Sequence, residues 1–146
     1  MEIVRITDTE GRILDDALLA RAESVHRQLR AQIPQPYAAR MKEIFATGAE
    51  MVVAVEGGEV CGVAVFRVTI NTMVGKKIYS EDLVADANTT VKGVGRALMD
   101  FLKQEGRDRG CVSLELESGT QREQAHKFYY REGFSIKAFG FKQPLA

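Results

Sequence analysis

Tryptophan is missing from this sequence, histidine and cysteine occur only twice each, and proline three times. The two cysteines, Cys61 and Cys111, sit in apolar strand-like runs without a Cys-x-x-Cys pair or clustered histidines. That usage excludes a disulfide framework and a zinc site, so no metal is expected and both thiols read as reduced packing residues. Net charge is also missing: 20 basic residues balance 20 acidic ones, and the sequence pI is about 6.7. A neutral total argues against nucleic acid as the main partner. No apolar run approaches the roughly 18 residues a membrane span needs. The opening "MEIVRITDTE" has neither a basic nor an apolar targeting region, so no membrane partner and a cytoplasmic location are expected. Low-complexity tracts, repeats and linker-like stretches are absent too, which points to a single domain over 1–146.

What is present is a regular alternation of elements. "IVRI" reads as a short strand, followed by a helix with Leu14, Ala17, Leu18, Val25 and Leu29 at helical spacing that ends before Pro34 and Pro36. A short helix from about Ala38 to Phe45 buries Met41, Ile44 and Phe45. "MVVAV", "EGGE" and "VCGVAVFRV" form a hairpin, and "KKIYSEDLVA" another strand. "CVSLELE" alternates as a half-buried strand, "REQAHKFYYRE" is a helix stopped by Gly133, and "FSIKAFGF" reads as a last strand. The two strands flanking the helix after residue 93 imply a parallel crossover beside an antiparallel first half, hence a mixed sheet.

That crossover helix opens in "TTVKGVGRALMDFL", residues 89–102. Val94, Leu98, Phe101 and Leu102 fall on one face, so the helix begins near Gly93. Its first turn offers free N–H groups and the positive end of the helix dipole. Gly93 and Gly95 remove side chains where a ligand needs close backbone approach, while Lys92 and Arg96 add positive charge. Together they describe a seat for an anion, a phosphate above all; the plainer reading is a tight strand-to-helix turn. Other phosphate motifs fit worse. A Walker loop needs glycine where Ile70 stands, and a dinucleotide fingerprint needs glycine at Leu98.

Two ordered motifs carry a family resemblance. "SEDLVADANTTVKGVGRALM" is similar to the strand, loop and Q/R-x-x-G-x-G/A helix start of the GNAT superfamily of acetyl-CoA-dependent N-acetyltransferases, and "AHKFYYREGF" (125–134) matches its A-x-x-F-Y-x-x-x-G-F motif. The resemblance is strong over residues 78 to 141 and rests on element order before that. It implies an α/β (mixed α+β) fold with a mostly antiparallel sheet of about six to seven strands flanked by about four helices. It also implies acetyl-CoA as cosubstrate. The backbone of Leu83, Val84 and Ala85 would pair with the pantetheine arm, with the Leu83 N–H polarising the thioester carbonyl. The N–H groups from Val91 through Lys92, Gly93, Val94 and Gly95 to Arg96 would hold the pyrophosphate. Tyr129 takes the place of a phenol beside the coenzyme A sulfur. Two positions depart from the pattern: Thr90 stands at the Q/R position, and Arg122 replaces a frequent asparagine, where it would meet a cofactor phosphate or solvent.

Periodicity alone makes Tyr129 a core residue, because Ala125, Phe128 and Tyr129 share a helix face. With the motif, its role is proton donation to the leaving thiolate. The acceptor amine, with a pKa of about 10, must lose a proton before it attacks. Glu81 and Asp82 are the candidate bases. Strand alternation sets them on opposite faces, so only one would face the acceptor; Glu81, sharing parity with Tyr79 and Leu83, is favoured over Asp82. A water relay is the third possibility. His26, on a helix that walls the acceptor pocket in this family, and Tyr37, in the loop that covers it, are candidate substrate contacts; His126 reads as a helix-edge residue. The wording "REQAHKFYYREGF" and the ending "FGFKQPL" resemble members that acetylate small amines, including aminoalkylphosphonates, and the expected reaction is direct transfer in a ternary complex. Many relatives are homodimers. The alternative is a non-catalytic acyl-CoA-binding sensor or interaction module with the same fold.

Overall fold

The computed structural model describes all residues from Met1 to Ala146. They form two compact units, residues 1–115 and 116–146. The first unit holds the sheet β1 (Glu2–Arg5), β2 (Ala49–Glu56), β3 (Glu59–Asn71), β4 (Gly75–Ala85) and β5 (Ser113–Leu116, its last residue opening the second unit), in that spatial order. β1 to β4 are successive antiparallel neighbours. The Val112 N–H donates to the Lys76 carbonyl, which sets the start of β5 beside the start of β4, as the expected parallel crossover requires. The fold is thus mixed α+β with five strands and four helices.

Alternation along β2 and β3 sends side chains to two cores. Met51, Val53, Val63 and Val65 face α1 (Asp16–Leu29) and α2 (Tyr37–Ala46), which contribute Leu18, Leu19, Ala22, Val25, Met41 and Phe45. Val52, Ala54, Ala64 and Phe66 face α3 (Val94–Asp108), which contributes Val94, Leu98 and Leu102. Asp15 caps α1 by accepting from the Leu18 N–H at 2.9 Å, so the helix starts later than the expected stripe, and Leu14 lies outside it, 59% exposed. At the far end of α3 the buried Glu50 carboxylate accepts from Arg109 at 2.7 Å and pairs with Arg5, which also meets Glu105. Both cysteines are free, and Cys61 is buried.

The second unit contains α4 (Glu123–Arg131), with Arg122 at its N-cap and Gly133 just beyond its C-cap at φ 91°. The expected strand over "FSIKAFGF" does not form: residues 134–146 have no regular structure, and Ile136, Phe139 and Phe141 are exposed. Alternation supplies a strand's two faces but not its hydrogen-bonding partner, and this segment has no ladder to complete it.

Candidate active site

The site is organised by an irregularity in β4. Val65 of β3 pairs with Asp82 and the next residue, Phe66, pairs with Ser80, so Glu81 is an extra residue, a β-bulge. Parity counted through position 81 therefore fails. Tyr79 pairs with Arg67 on the face of α1 and α2, whereas Leu83 packs in the α3 core. The expectation that alternation sets Glu81 and Asp82 on opposite faces of the sheet is corrected accordingly. Glu81 bonds the Arg67 Nε, and Arg67 in turn donates to the Thr47 carbonyl at the end of α2, at 2.7 Å. Asp82 reaches α1, accepting from Arg30 Nε at 2.7 Å and from His26 Nε2 at 2.7 Å. Both carboxylates thus lie on the face covered by α1 and α2.

His26 falls on the buried stripe of α1, 1% exposed, and its Nδ1 lies 2.9 Å from the Tyr37 hydroxyl. Tyr37 is the first residue of α2 rather than a loop residue, and it is 3% exposed. Neither presents open surface to a ligand; they reach the site through Asp82. Burial alone would raise the Asp82 pKa, but the hydrogen bonds from His26 and Arg30 outweigh it and hold the carboxyl below its usual value. Burial pushes the Tyr37 hydroxyl well above its ordinary pKa, keeping it a neutral donor.

Beyond the bulge, Leu83, Val84 and Ala85 pair on one side with Ala64, Val63 and Gly62. The four residues of β5, starting beside Lys76, run out about level with Ser80 at an equal rise per residue. The loop that follows β4 is clamped from α1. Gln28 donates to Asp86 Oδ1 at 2.8 Å and accepts from the Ala87 N–H at 2.9 Å. The Val91 N–H is engaged with Thr89 Oγ1 at 3.1 Å. Gly93 then starts α3 with φ 77°, a left-handed conformation that suits glycine, and no side chain caps the helix. Thr90, Lys92, Gly93 and Arg96 are exposed, while Val94 is buried against the sheet. On the α1 side of this loop lies an open cavity of about 380 Å³. Glu56, Glu59 and Asp86 outnumber Arg21 in its lining, so its net charge disfavours a phosphate there and leaves the α3 start as the better anion seat.

Tyr129 and Arg122 belong to the second unit. Tyr129 is half-buried, with edge contacts to Phe128 and Phe134 at centroid distances of 5.6 and 5.8 Å. His126 Nε2 lies 2.8 Å from the Gly119 carbonyl. Arg30, Arg67 and Gln28 were not anticipated from sequence. Each acts across a separation that only tertiary pairing creates, whereas the place of His26 on the stripe of Leu19 and Ala22 was open to helical counting.

A five-stranded mixed sheet with a bulged strand, followed by a loop and a glycine-started crossover helix, defines the class. The acetyltransferase (GNAT) family model matches residues 17–134, and the chain belongs to that family. It is 37% identical over 86 residues to an uncharacterized N-acetyltransferase, YhdJ, of Bacillus subtilis (strain 168), covering 58% of each chain. It is 35% identical over 52 residues to the aminoalkylphosphonate N-acetyltransferase of Salmonella typhimurium (strain LT2), covering 36% of this chain and 34% of that one. These matches thus span less than two thirds of either relative. The fold resembles that of aminoglycoside N-acetyltransferase AAC(6')-Iy in complex with CoA, with a TM-score of 0.80, 16% identity, and coverage of 99% of this chain and 95% of that one. No helix is long and apolar enough to cross a membrane.

Proposed function

We propose that this chain is an N-acetyltransferase, acting as one functional domain, that moves the acetyl group of acetyl-CoA directly to a small primary amine in a ternary complex. The observation that carries the reading is the sequence of features along one strand and helix: two carboxylates at a bulge, an extended segment at 83–85, and an uncapped helix start at Gly93. The family match reaches from α1 to α4 and supports treating both units as one domain.

In this reading the pyrophosphate rests on the first turn of α3, with Lys92 and Arg96 beside it and Thr90 at its margin. The pantetheine arm pairs with Leu83 to Ala85, and the Leu83 N–H stabilises the oxyanion formed when the amine attacks the thioester carbon. The amine gives up its proton to Glu81, Asp82 or a water between them. Collapse of the tetrahedral intermediate breaks the C–S bond, and Tyr129 donates a proton to the departing thiolate. Arg30 and Arg67 are spent on the carboxylates themselves, and it is the name of the Salmonella typhimurium relative that supports aminoalkylphosphonates as first candidates.

The test is thiol release from acetyl-CoA across a panel of small amines, with and without phosphonate or carboxylate groups. Release that depends on one class of amine is expected. Stabilisation by acetyl-CoA without release for any amine would indicate a sensor, since a ligand at 100 times its dissociation constant adds about 2.7 kcal/mol without any chemistry.

A further inference from the structure

We propose that His26 is a positioning residue that fixes the Asp82 carboxylate as the seat for the acceptor's ammonium group. The inference rests on the acetyltransferase reading and assigns the two neighbouring carboxylates different tasks.

The donor sense of the chain follows from its end. An ionised carboxylate can only accept, so the hydrogen shared with Asp82 Oδ2 at 2.7 Å belongs to His26 Nε2. A neutral imidazole then has a bare Nδ1, which accepts from the Tyr37 hydroxyl at 2.9 Å. Arg30 supplies the matching donor to Oδ1 from the cap of α1, and its Nη2 holds the Glu81 carbonyl at 3.1 Å. The donors of Tyr37 and His26 and the Nε of Arg30 therefore run toward one carboxylate, while the second Arg30 bond ties the guanidinium to the β4 backbone beside it. The groups that face this chain are Glu23, Arg27 and Arg30 from α1, Tyr37 from α2, and Glu81 with its partner Arg67 from the sheet. Arg27 lies over the Tyr37 ring at 5.8 Å and bonds Glu23, which fixes Tyr37 from its outer side.

A carboxylate held by two donors is a weak proton acceptor but a rigid negative charge. Its side chain keeps 14% of its surface, enough to meet an ammonium group on the lone pairs left over. Deprotonation then falls to Glu81 or water, and Asp82 sets where the nitrogen waits. Without His26, Asp82 would keep its charge and one arginine bond but lose its orientation.

The experiment is steady-state kinetics with an accepted amine, on the wild type, His26→Leu, His26→Gln and Tyr37→Phe. His26→Leu should raise KM for the amine about tenfold or more, with kcat within about threefold and KM for acetyl-CoA unchanged. His26→Gln, whose amide donates to Asp82 and accepts from Tyr37, should recover most of that loss. Tyr37→Phe should raise the amine KM in the same direction by a smaller factor. If His26→Leu fails to fold, the other two variants decide: an unchanged amine KM in Tyr37→Phe, or an amine KM in His26→Gln raised about tenfold or more over the wild type, overturns the proposal. A fall in kcat at constant amine KM also overturns it, by moving His26 into the proton path. A wild type that acetylates no amine overturns both readings, whereas a turning-over wild type with an unaffected His26→Leu overturns this one alone.

Discussion

Glu81 and Asp82 are adjacent in the chain and on the same side of the sheet, yet no donor side chain binds both carboxylates: Glu81 belongs to Arg67, and Asp82 to His26 and Arg30. The bulge makes this possible, because a regular strand would have sent one of them into the α3 core. Two carboxylates on one face with separate partners can divide the work of seating an amine and removing its proton.

Their separation is measurable by kinetics against pH. Glu81→Gln keeps the shape but cannot take a proton, so kcat should fall by roughly the 10² to 10⁴ typical of a lost general base, most at low pH and less as pH nears the amine's own pKa. Asp82→Asn should act mainly on the amine KM. A large pH-dependent kcat loss in Asp82→Asn alone would reverse the two roles, and no loss in either would favour a water relay.

Asp82 also makes a stability prediction with a definite sign. Its carboxyl is held below its unfolded value, so its contribution is complete above the ordinary pKa of 3.8 and is lost as pH falls through the lower folded value. Urea unfolding at neutral pH should find Asp82→Asn less stable than the wild type, and the gap should narrow as pH falls below 3.8 and through the lower folded value. A gap that persists unchanged in acid would mean that the charge on Asp82 is not what matters.

How far this site was legible in the sequence depends on the range of each signal. Val52 to Ala54 and Val63 to Phe66 announce their strands because a β-rich apolar run is a local signal, and the α3 start is written in Gly93 and the apolar spacing after it. The bulge is not, because one extra residue in β4 is defined only against Val65 and Phe66 of another strand. For the same reason the apolar residues of "FSIKAFGF" suggested a strand that lacks a partner. Asp82 and His26 were each visible as candidates, but 56 residues separate them, and only the packing of α1 on β4 joins them.

The close fit of α3 on the sheet predicts the effect of two glycines. A Cβ on Gly62 would lie 2.5 Å from Val94 Cγ1 and 3.0 Å from Leu98 Cδ1, so Gly62→Ala should push back the first turn of α3 and cost about 1–3 kcal/mol. Gly95→Val should leave folding intact and weaken acetyl-CoA binding tenfold or more, about 1.4 kcal/mol. Denaturant unfolding and calorimetric titration with acetyl-CoA check the pair. Normal cofactor binding by Gly95→Val would reduce the glycine stretch to a turn.

Tyr129→Phe keeps the ring contacts with Phe128 and Phe134 and removes only the hydroxyl. As proton donor to the thiolate, the hydroxyl should be worth roughly 10² to 10⁴ in kcat with little change in acetyl-CoA affinity. Single-turnover kinetics and a binding titration check it, and an unchanged rate would leave Tyr129 with a packing role.

The most direct measurement is mass spectrometry of both amine and protein after incubation with acetyl-CoA labelled in the acetyl group. Direct transfer predicts one labelled acetyl on the amine for each coenzyme A released and none retained by the protein. Label accumulating on the protein before it reaches the amine would contradict transfer within a ternary complex, and coenzyme A release without any acetylated amine would contradict the assignment of an amine acceptor.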